Sequence, residues 1–124
     1  MKNIDIAIIG GGMSGMAAAL SLQKNGFKPT VYEQAPELTE LGAGLTISPN
    51  STHGLEYLGL KESLSKHADV PSDQAIFHYN TGEVLGRRMR GEETRNLYGA
   101  YYYQIHRADL QKEMSNLLIK NDPS

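Results

Sequence analysis

IAIIGGGMSGMAAAL, residues 6–20, joins an apolar, β-branched run to three consecutive glycines and then to an alanine-rich segment. The apolar run over residues 4–9 predicts a central parallel strand that is buried on both faces. Residues 13–25 predict a helix, which an Asn-Gly pair ends. The stretch PTVYEQ, residues 29–34, predicts a second strand. Strand, helix and strand in this order indicate a βαβ unit with parallel strands.

The glycines follow the pattern Gly10-x-Gly12-x-x-Gly15 between the first predicted strand and the helix. The first glycine permits a tight turn, the second lets the backbone approach a pyrophosphate, and the third lets the helix pack closely on the strand. Met13 and Ser14 lie at the helix start, where unpaired N–H groups and the helix dipole favour a phosphate anion. The pattern therefore predicts a dinucleotide site.

Glu33 lies at the end of the second predicted strand, 18 residues beyond Gly15. A carboxylate there can accept hydrogen bonds from both hydroxyls of an adenosine ribose, whereas a 2′-phosphate would meet its negative charge. Strand, glycines, helix, second strand and acid agree in order and spacing. This agreement favours dinucleotide binding over a glycine-rich turn that binds nothing, but it leaves NAD and FAD both open.

The rest of the chain departs from the alternation of strands and helices. Its pattern first predicts an irregular loop with an extended piece over residues 45–48, a helix capped by Ser51 or Thr52 and ending near Leu58, and a short helix over residues 61–68. An antiparallel hairpin is predicted over residues 74–89, with a third strand over residues 98–104. The last predicted element is an amphipathic helix over residues 107–120, whose apolar stripe consists of Leu110, Met114, Leu117 and Leu118. The fold class is therefore α/β, a Rossmann-like βαβ unit with a parallel sheet and the beginning of a smaller antiparallel sheet.

Composition and charge exclude several kinds of partner. The formal net charge of -2 offers no general attraction to nucleic acid or to an anionic membrane. Arginines 87, 88 and 90 have acidic neighbours and are typical of a solvated hairpin end. The chain has no cysteine and no apolar run near the roughly 18 residues of a membrane span. We expect a cytoplasmic protein without nucleic-acid or membrane partners.

No side chain stands out as catalytic. Four histidines, at positions 53, 67, 78 and 106, match no compact metal-ligand spacing, so we expect no metal site. The glycine motif is one residue too short for the nucleophile elbow of a serine hydrolase. Residues 101–103 are consecutive tyrosines in a predicted strand, so at least one ring should face a core or a ligand pocket.

Two segments carry a resemblance to a known family: EQAPELTELGAGLTISPNSTHGLEYLGL at residues 33–60 and HRADL at residues 106–110. They resemble the amino-terminal part of the class A flavoprotein monooxygenases, the family of p-hydroxybenzoate and salicylate hydroxylases. In that family an acid at the place of Glu33 precedes a Gly-Ala-Gly stretch, Pro-Asn and a helix ending in Leu-Gly-Leu. The resemblance implies FAD, reduction by NADH or NADPH, a flavin C4a-hydroperoxide, and hydroxylation of an aromatic or similar small molecule.

The resemblance also implies which residues hold the cofactor. Carried onto this sequence, the cofactor-binding set is Gly10, Gly12, Met13, Ser14, Gly15, Glu33, Gln34, Gly44 and Arg107, with Gly42 and Ala43 shaping the loop near the flavin. Gln34 stands where many relatives carry an arginine. Arg107 can offer several donors to phosphate or ribityl oxygens, and the alternative is a surface ion pair with Asp109 or Glu113.

The resemblance divides the chain into three parts. Residues 1–70 form the FAD-binding βαβ unit with its following loop and helices, residues 71–104 begin the inserted antiparallel sheet of a substrate domain, and residues 105–124 return to the FAD-binding domain. We therefore expect the amino-terminal part of a monooxygenase, inactive by itself. The alternative is a non-catalytic fragment that binds a dinucleotide or dimerises through exposed sheet edges.

Overall fold

A computed structural model describes residues 4–35 and 43–123. Its elements are, in chain order, β1 (Ile6–Ile9), α1 (Met13–Lys24), β2 (Pro29–Tyr32), β3 (Gly44–Ile47), α2 (Pro49–Leu58), α3 (Lys61–His67), β4 (Asp73–Phe77), β5 (Val84–Met89), α4 (Gly91–Tyr98), β6 (Tyr103–His106) and α5 (Arg107–Asn121). Within the described residues the strands pair as β1 with β2, β3 with β6, and β4 with β5. The first pair is parallel and the other two are antiparallel, which confirms the predicted α/β fold class.

The βαβ unit forms much as the sequence predicts. Helix α1 ends at Lys24, followed by Asn25 as C-cap and by Gly26 at φ +82°. Burial of β1 on both faces is wrong, because Ile9 is 83% exposed. Strand β1 pairs with β2 at one edge and packs against α1, and its main contacts within the described residues are with these two elements.

The expected third strand of the hairpin, over residues 98–104, is also wrong. Helix α4 extends to Tyr98, where Gly99 ends it at φ +75°, and β6 begins only at Tyr103. Strand β6 then pairs with β3, not with the hairpin formed by β4 and β5. An alternating pattern predicts a strand but leaves its partner open, and the charged sequence of α4 lacks the apolar periodicity that indicates a helix.

Helix α2 begins earlier than predicted. Its first residue is Pro49, since the fixed φ of proline suits the first helical position. Neither Ser51 nor Thr52 caps the helix, because both lie inside it. The preceding Ser48 makes no capping bond and donates its hydroxyl to Asn50 Oδ1 at 2.6 Å.

The hydrophobic core lies where α1 and α5 pack together over the β3–β6 pair and the α2–α3 segment. Its buried members are Met16, Leu20, Ile47, Leu60, Leu64, Tyr103, Ile105, Leu110 and Met114. Burial of Leu110 and Met114 confirms the predicted stripe of α5, and Tyr103 confirms that a tyrosine ring faces the core. None of the helices in the described ranges is long and apolar enough to cross a membrane.

Candidate nucleotide site

The glycine-rich turn between β1 and α1 is the centre of the candidate site. Gly10 has φ +101°, and its N–H donates to Tyr32 O at 2.7 Å, which ties the turn to the end of β2. A Cβ on Gly15 would lie 2.0 Å from Gly10 O, whereas a Cβ on Gly12 would meet no described atom within 4 Å. The turn therefore packs tightly against the helix on one side and is open at Gly12.

The start of α1 can accept an anion. Gly12 is its N-cap, no side chain makes a capping bond there, and its first turn contains no acidic residue. Ser14 is exposed in that first turn, beside Met13. The first N–H groups of a helix carry partial positive charge and have no partner within the helix, so they suit a phosphate.

Glu33 lies directly after β2 and touches the same turn. Its Oε2 accepts the Gly11 N–H at 2.6 Å, and its Oε1 accepts the Ala35 N–H at 2.9 Å. These two hydrogen bonds hold the pKa of Glu33 below its ordinary value of 4.5, and the bond from the Ala35 N–H has the larger effect. The side chain is therefore an exposed carboxylate at neutral pH, and each oxygen keeps a lone pair that can accept a ribose hydroxyl.

Gly44 and Arg107, two further predicted cofactor-binding residues, lie together where β3, β6 and the start of α5 meet. Gly44 pairs with His106 in the β3–β6 ladder, and the Arg107 N–H donates to Ala43 O at 2.9 Å. Arg107 begins α5 and is partly buried, with its Nε atom fully covered. It lies one helical turn before Gln111, which contacts the glycine-rich turn. Residues four apart share a helix face, so Arg107 lies on the face of α5 that meets this turn.

The structure brings most of the predicted residues together. Around one turn it gathers Gly10, Gly12, Met13, Ser14, Gly15 and Glu33, with Gln34 exposed beside them. Gly44 and Arg107 connect to this group through α5, and Gly42 lies outside the described residues. Their roles as FAD ligands stay predictions. Across the described ranges, no group of three or more His, Cys, Asp or Glu side chains could hold a metal ion.

Sequence reasoning missed Gly11 and Gln111. The Gln111 side chain is 3% exposed, and its Nε2 donates to Gly11 O at 3.3 Å. The sequence could have pointed to Gln111 through its position, because it lies between Leu110 and Met114 in the apolar stripe of α5. A polar residue inside such a stripe is buried and needs a hydrogen-bond partner.

Comparison with known proteins identifies the family. The model of the FAD binding domain family matches residues 3–121. The chain is 42% identical over 113 residues to the 3-amino-4-hydroxybenzoate 2-monooxygenase PtmB3 of Streptomyces platensis, covering 91% of the chain and 28% of that protein. It is 39% identical over 109 residues to the 3-hydroxybenzoate 6-hydroxylase of Polaromonas naphthalenivorans (strain CJ2), covering 87% and 27%.

The fold is also similar to a solved structure, that of Klebsiella pneumoniae HpxO complexed with FAD and uric acid. The TM-score is 0.81 at 23% identity, over 93% of this chain and 28% of that one. The chain therefore belongs to the FAD binding domain family, which confirms the resemblance to flavoprotein monooxygenases and favours FAD over NAD. It spans 27% to 28% of the length of the two curated relatives described above.

Proposed function

We propose that this chain is the FAD-binding part of a monooxygenase that uses NADH or NADPH and O2 to hydroxylate an aromatic or similar small molecule. The observation that carries the proposal is the open glycine-rich turn with Glu33 beside it, in a chain whose family model covers residues 3–121. Relatives named for hydroxylation of benzoate derivatives support the substrate class.

The chain's own residues fit FAD and would bind and orient it. The N–H groups at the start of α1 would hold the diphosphate, the Glu33 carboxylate would accept the ribose hydroxyls, and Arg107 would add a positive charge nearby. Bound FAD supplies the redox chemistry of oxygen insertion. The protein contributes position and electrostatics, which agrees with a mechanism that needs no nucleophilic side chain.

The division into parts belongs to the same proposal. We assign residues 71–104 to the beginning of the substrate domain and the flanking segments to the FAD-binding domain. The β4–β5 hairpin supports this assignment because it carries exposed apolar side chains at Ile76, Phe77 and Leu85. A homodimer through exposed sheet edges and a cytoplasmic location complete the proposal.

The full-length protein tests this function. We expect it to purify with flavin absorbance, and to oxidise NADH or NADPH in the presence of hydroxybenzoates or hydroxynicotinate with 18O from O2 appearing in the product. Gly12→Val is the matched control, because its branched side chain would occupy the open side of the turn and prevent flavin binding.

The outcomes separate the proposal from its alternative. A chain that binds a dinucleotide without turnover predicts flavin absorbance but no labelled product from any substrate of the panel. A full-length protein that neither retains nor takes up FAD would contradict both the cofactor and the reaction.

A further inference from the structure

The Gly11 backbone is held from two sides. Its N–H donates to Glu33 Oε2 at 2.6 Å, and its C=O accepts from Gln111 Nε2 at 3.3 Å. Gly11 is buried, and these two side chains lie 22 and 100 residues away from it in the sequence. Two distant parts of the chain therefore meet at the residue between Gly10 and Gly12.

Burial of the Gln111 side chain lowers the stability of the fold. The side chain is 3% exposed beside Leu110 and Met114, and its Oε1 is buried without a hydrogen-bond partner among the described residues. Burying an amide oxygen without a partner destabilises a protein, whereas a methionine of similar length would pack there without that loss. Packing alone therefore does not explain a glutamine at this position.

The geometry of the peptide bond supplies an explanation. The bond between Gly11 and Gly12 is trans and planar, so the Gly12 N–H points opposite to the Gly11 C=O. Because Gln111 holds that C=O toward α5, the Gly12 N–H points away from α5. Gly12 is also the N-cap of α1, at the open side of the turn. Two adjacent glycines would otherwise leave this peptide plane free to rotate.

We propose that Gln111 is a positioning residue for the cofactor: by fixing the Gly11 carbonyl, it presents the Gly12 N–H to the diphosphate of bound FAD. The inference rests on the FAD-binding half of the proposed function and goes beyond it, since it assigns a residue outside the glycine motif to the preorganisation of that motif. The gain is entropic, because the turn holds its binding conformation before the cofactor arrives.

Gln111→Met in the full-length protein tests this role through two readouts. The substitution removes the donor and the unpartnered oxygen but keeps the length of the side chain. We expect the Kd for FAD, measured by flavin fluorescence on the apoprotein, to rise about tenfold, the effect of losing one hydrogen bond. We expect the Tm of the apoprotein to change little, because the Gly11 carbonyl loses its donor while the buried, unpartnered Oε1 is also removed. Asn116→Met, on the exposed side of the same helix, is the matched control and should change neither value.

Gln111→Glu provides a second test that keeps the shape of the side chain. Above its pKa the new carboxylate cannot donate to the Gly11 carbonyl, so FAD binding should be weak at about pH 8. Burial raises the pKa of such a carboxyl group, whereas the Arg107 guanidinium, one helical turn earlier on the same face, lowers it, so the test is the affinity at about pH 8 and not its recovery at lower pH. Glu33 keeps its charge at this pH, because its pKa lies below its ordinary value.

The results distinguish this inference from the function on which it rests. An unchanged Kd in Gln111→Met, or a higher Kd matched by an equal loss of apoprotein stability, would overturn the positioning role. A Gln111→Glu variant that binds FAD as tightly as wild type at about pH 8 would overturn it as well, including where Gln111→Met does not fold. A wild-type protein that binds FAD but hydroxylates nothing would defeat the proposed reaction only, and one that binds no FAD would defeat both.

Discussion

Gly12 and Gly15 lie three residues apart and have opposite surroundings. A Cβ on Gly15 would lie 2.0 Å from Gly10 O and 3.2 Å from Gly10 C, both of them backbone atoms that a side-chain rotation cannot move. A Cβ on Gly12 would enter space that no described atom occupies within 4 Å. Gly15 is therefore needed for the packing of α1 on the turn, whereas the described residues leave room for a side chain at Gly12, where we propose that the diphosphate binds.

This contrast predicts different effects of the same substitution. We expect Gly15→Ala to lower the free energy of unfolding by about 1–3 kcal/mol, since α1 must move away from the turn. Gly12→Ala should leave this free energy within about 0.5 kcal/mol of wild type and still weaken FAD binding. Urea denaturation of the apoprotein and FAD titration measure the two effects. Equal stability losses in the two variants would contradict the assignment.

The Glu33 carboxylate predicts a pH dependence. Backbone N–H groups lower the pKa of Glu33 in the folded protein below its unfolded pKa of 4.5. The contribution of the carboxylate to stability and to ribose binding is therefore fully present above the unfolded pKa and is lost as the pH falls through the folded pKa. FAD affinity should show no loss from this group between about pH 7 and pH 5. Titrations of wild type and Glu33→Gln check this: the variant should bind more weakly and without this low-pH transition. A wild-type affinity that already falls at about pH 6 through Glu33 would contradict the lowered pKa.

At the scale of elements, side chains around Tyr101 hold α4 against the short segment that leads from it to β6. The Tyr101 hydroxyl donates to Glu92, and the Arg95 guanidinium lies 5.1 Å from the centre of the Tyr101 ring. The hydrogen bond raises the pKa of Tyr101 and lowers the pKa of Glu92. His53 Nε2 lies 2.8 Å from Tyr98 O, so α2 also contacts the end of α4. These contacts explain how a helix without apolar periodicity keeps its place.

Thr52 joins α2 to the same region from the inside. It is fully buried, and its Oγ1 donates to Tyr101 O at 2.8 Å. Thr52→Val keeps the volume but leaves the carbonyl without this donor, so we expect a loss of about 1–3 kcal/mol in the free energy of unfolding. Chemical denaturation measures it, with Ser51→Ala at the exposed neighbouring position as control. A Thr52→Val variant as stable as that control would show that the bond adds nothing.

At the scale of the whole molecule, α5, from late in the sequence, packs against α1, from early in it. Met114 is buried in the core with Met16 and Leu20 of α1. Gln23 of α1 also donates to Leu118 O of α5 at 3.2 Å. The packing of α5 on α1 therefore does more than fill the core, because it carries Gln111 to the glycine-rich turn. In this way a helix late in the sequence contacts the turn of the candidate site early in the sequence.

The sequence by itself determined the elements whose signals are local. The βαβ unit, the glycine motif, Glu33 and the stripe of α5 follow from periodicity, from steric limits at glycine and from spacing along the chain. These signals need only neighbouring residues, so they could be predicted without a tertiary fold.

Only the tertiary structure decided which parts meet. It paired β6 with β3, left Ile9 exposed, and brought Gln111 to the Gly11 carbonyl across 100 residues. A strand pattern is equally compatible with several partners, and a glutamine is equally compatible with solvent or with a buried bond. Which partner the strand takes and whether the glutamine is buried depend on how the elements pack around one core. That packing is set by contacts that no local pattern encodes.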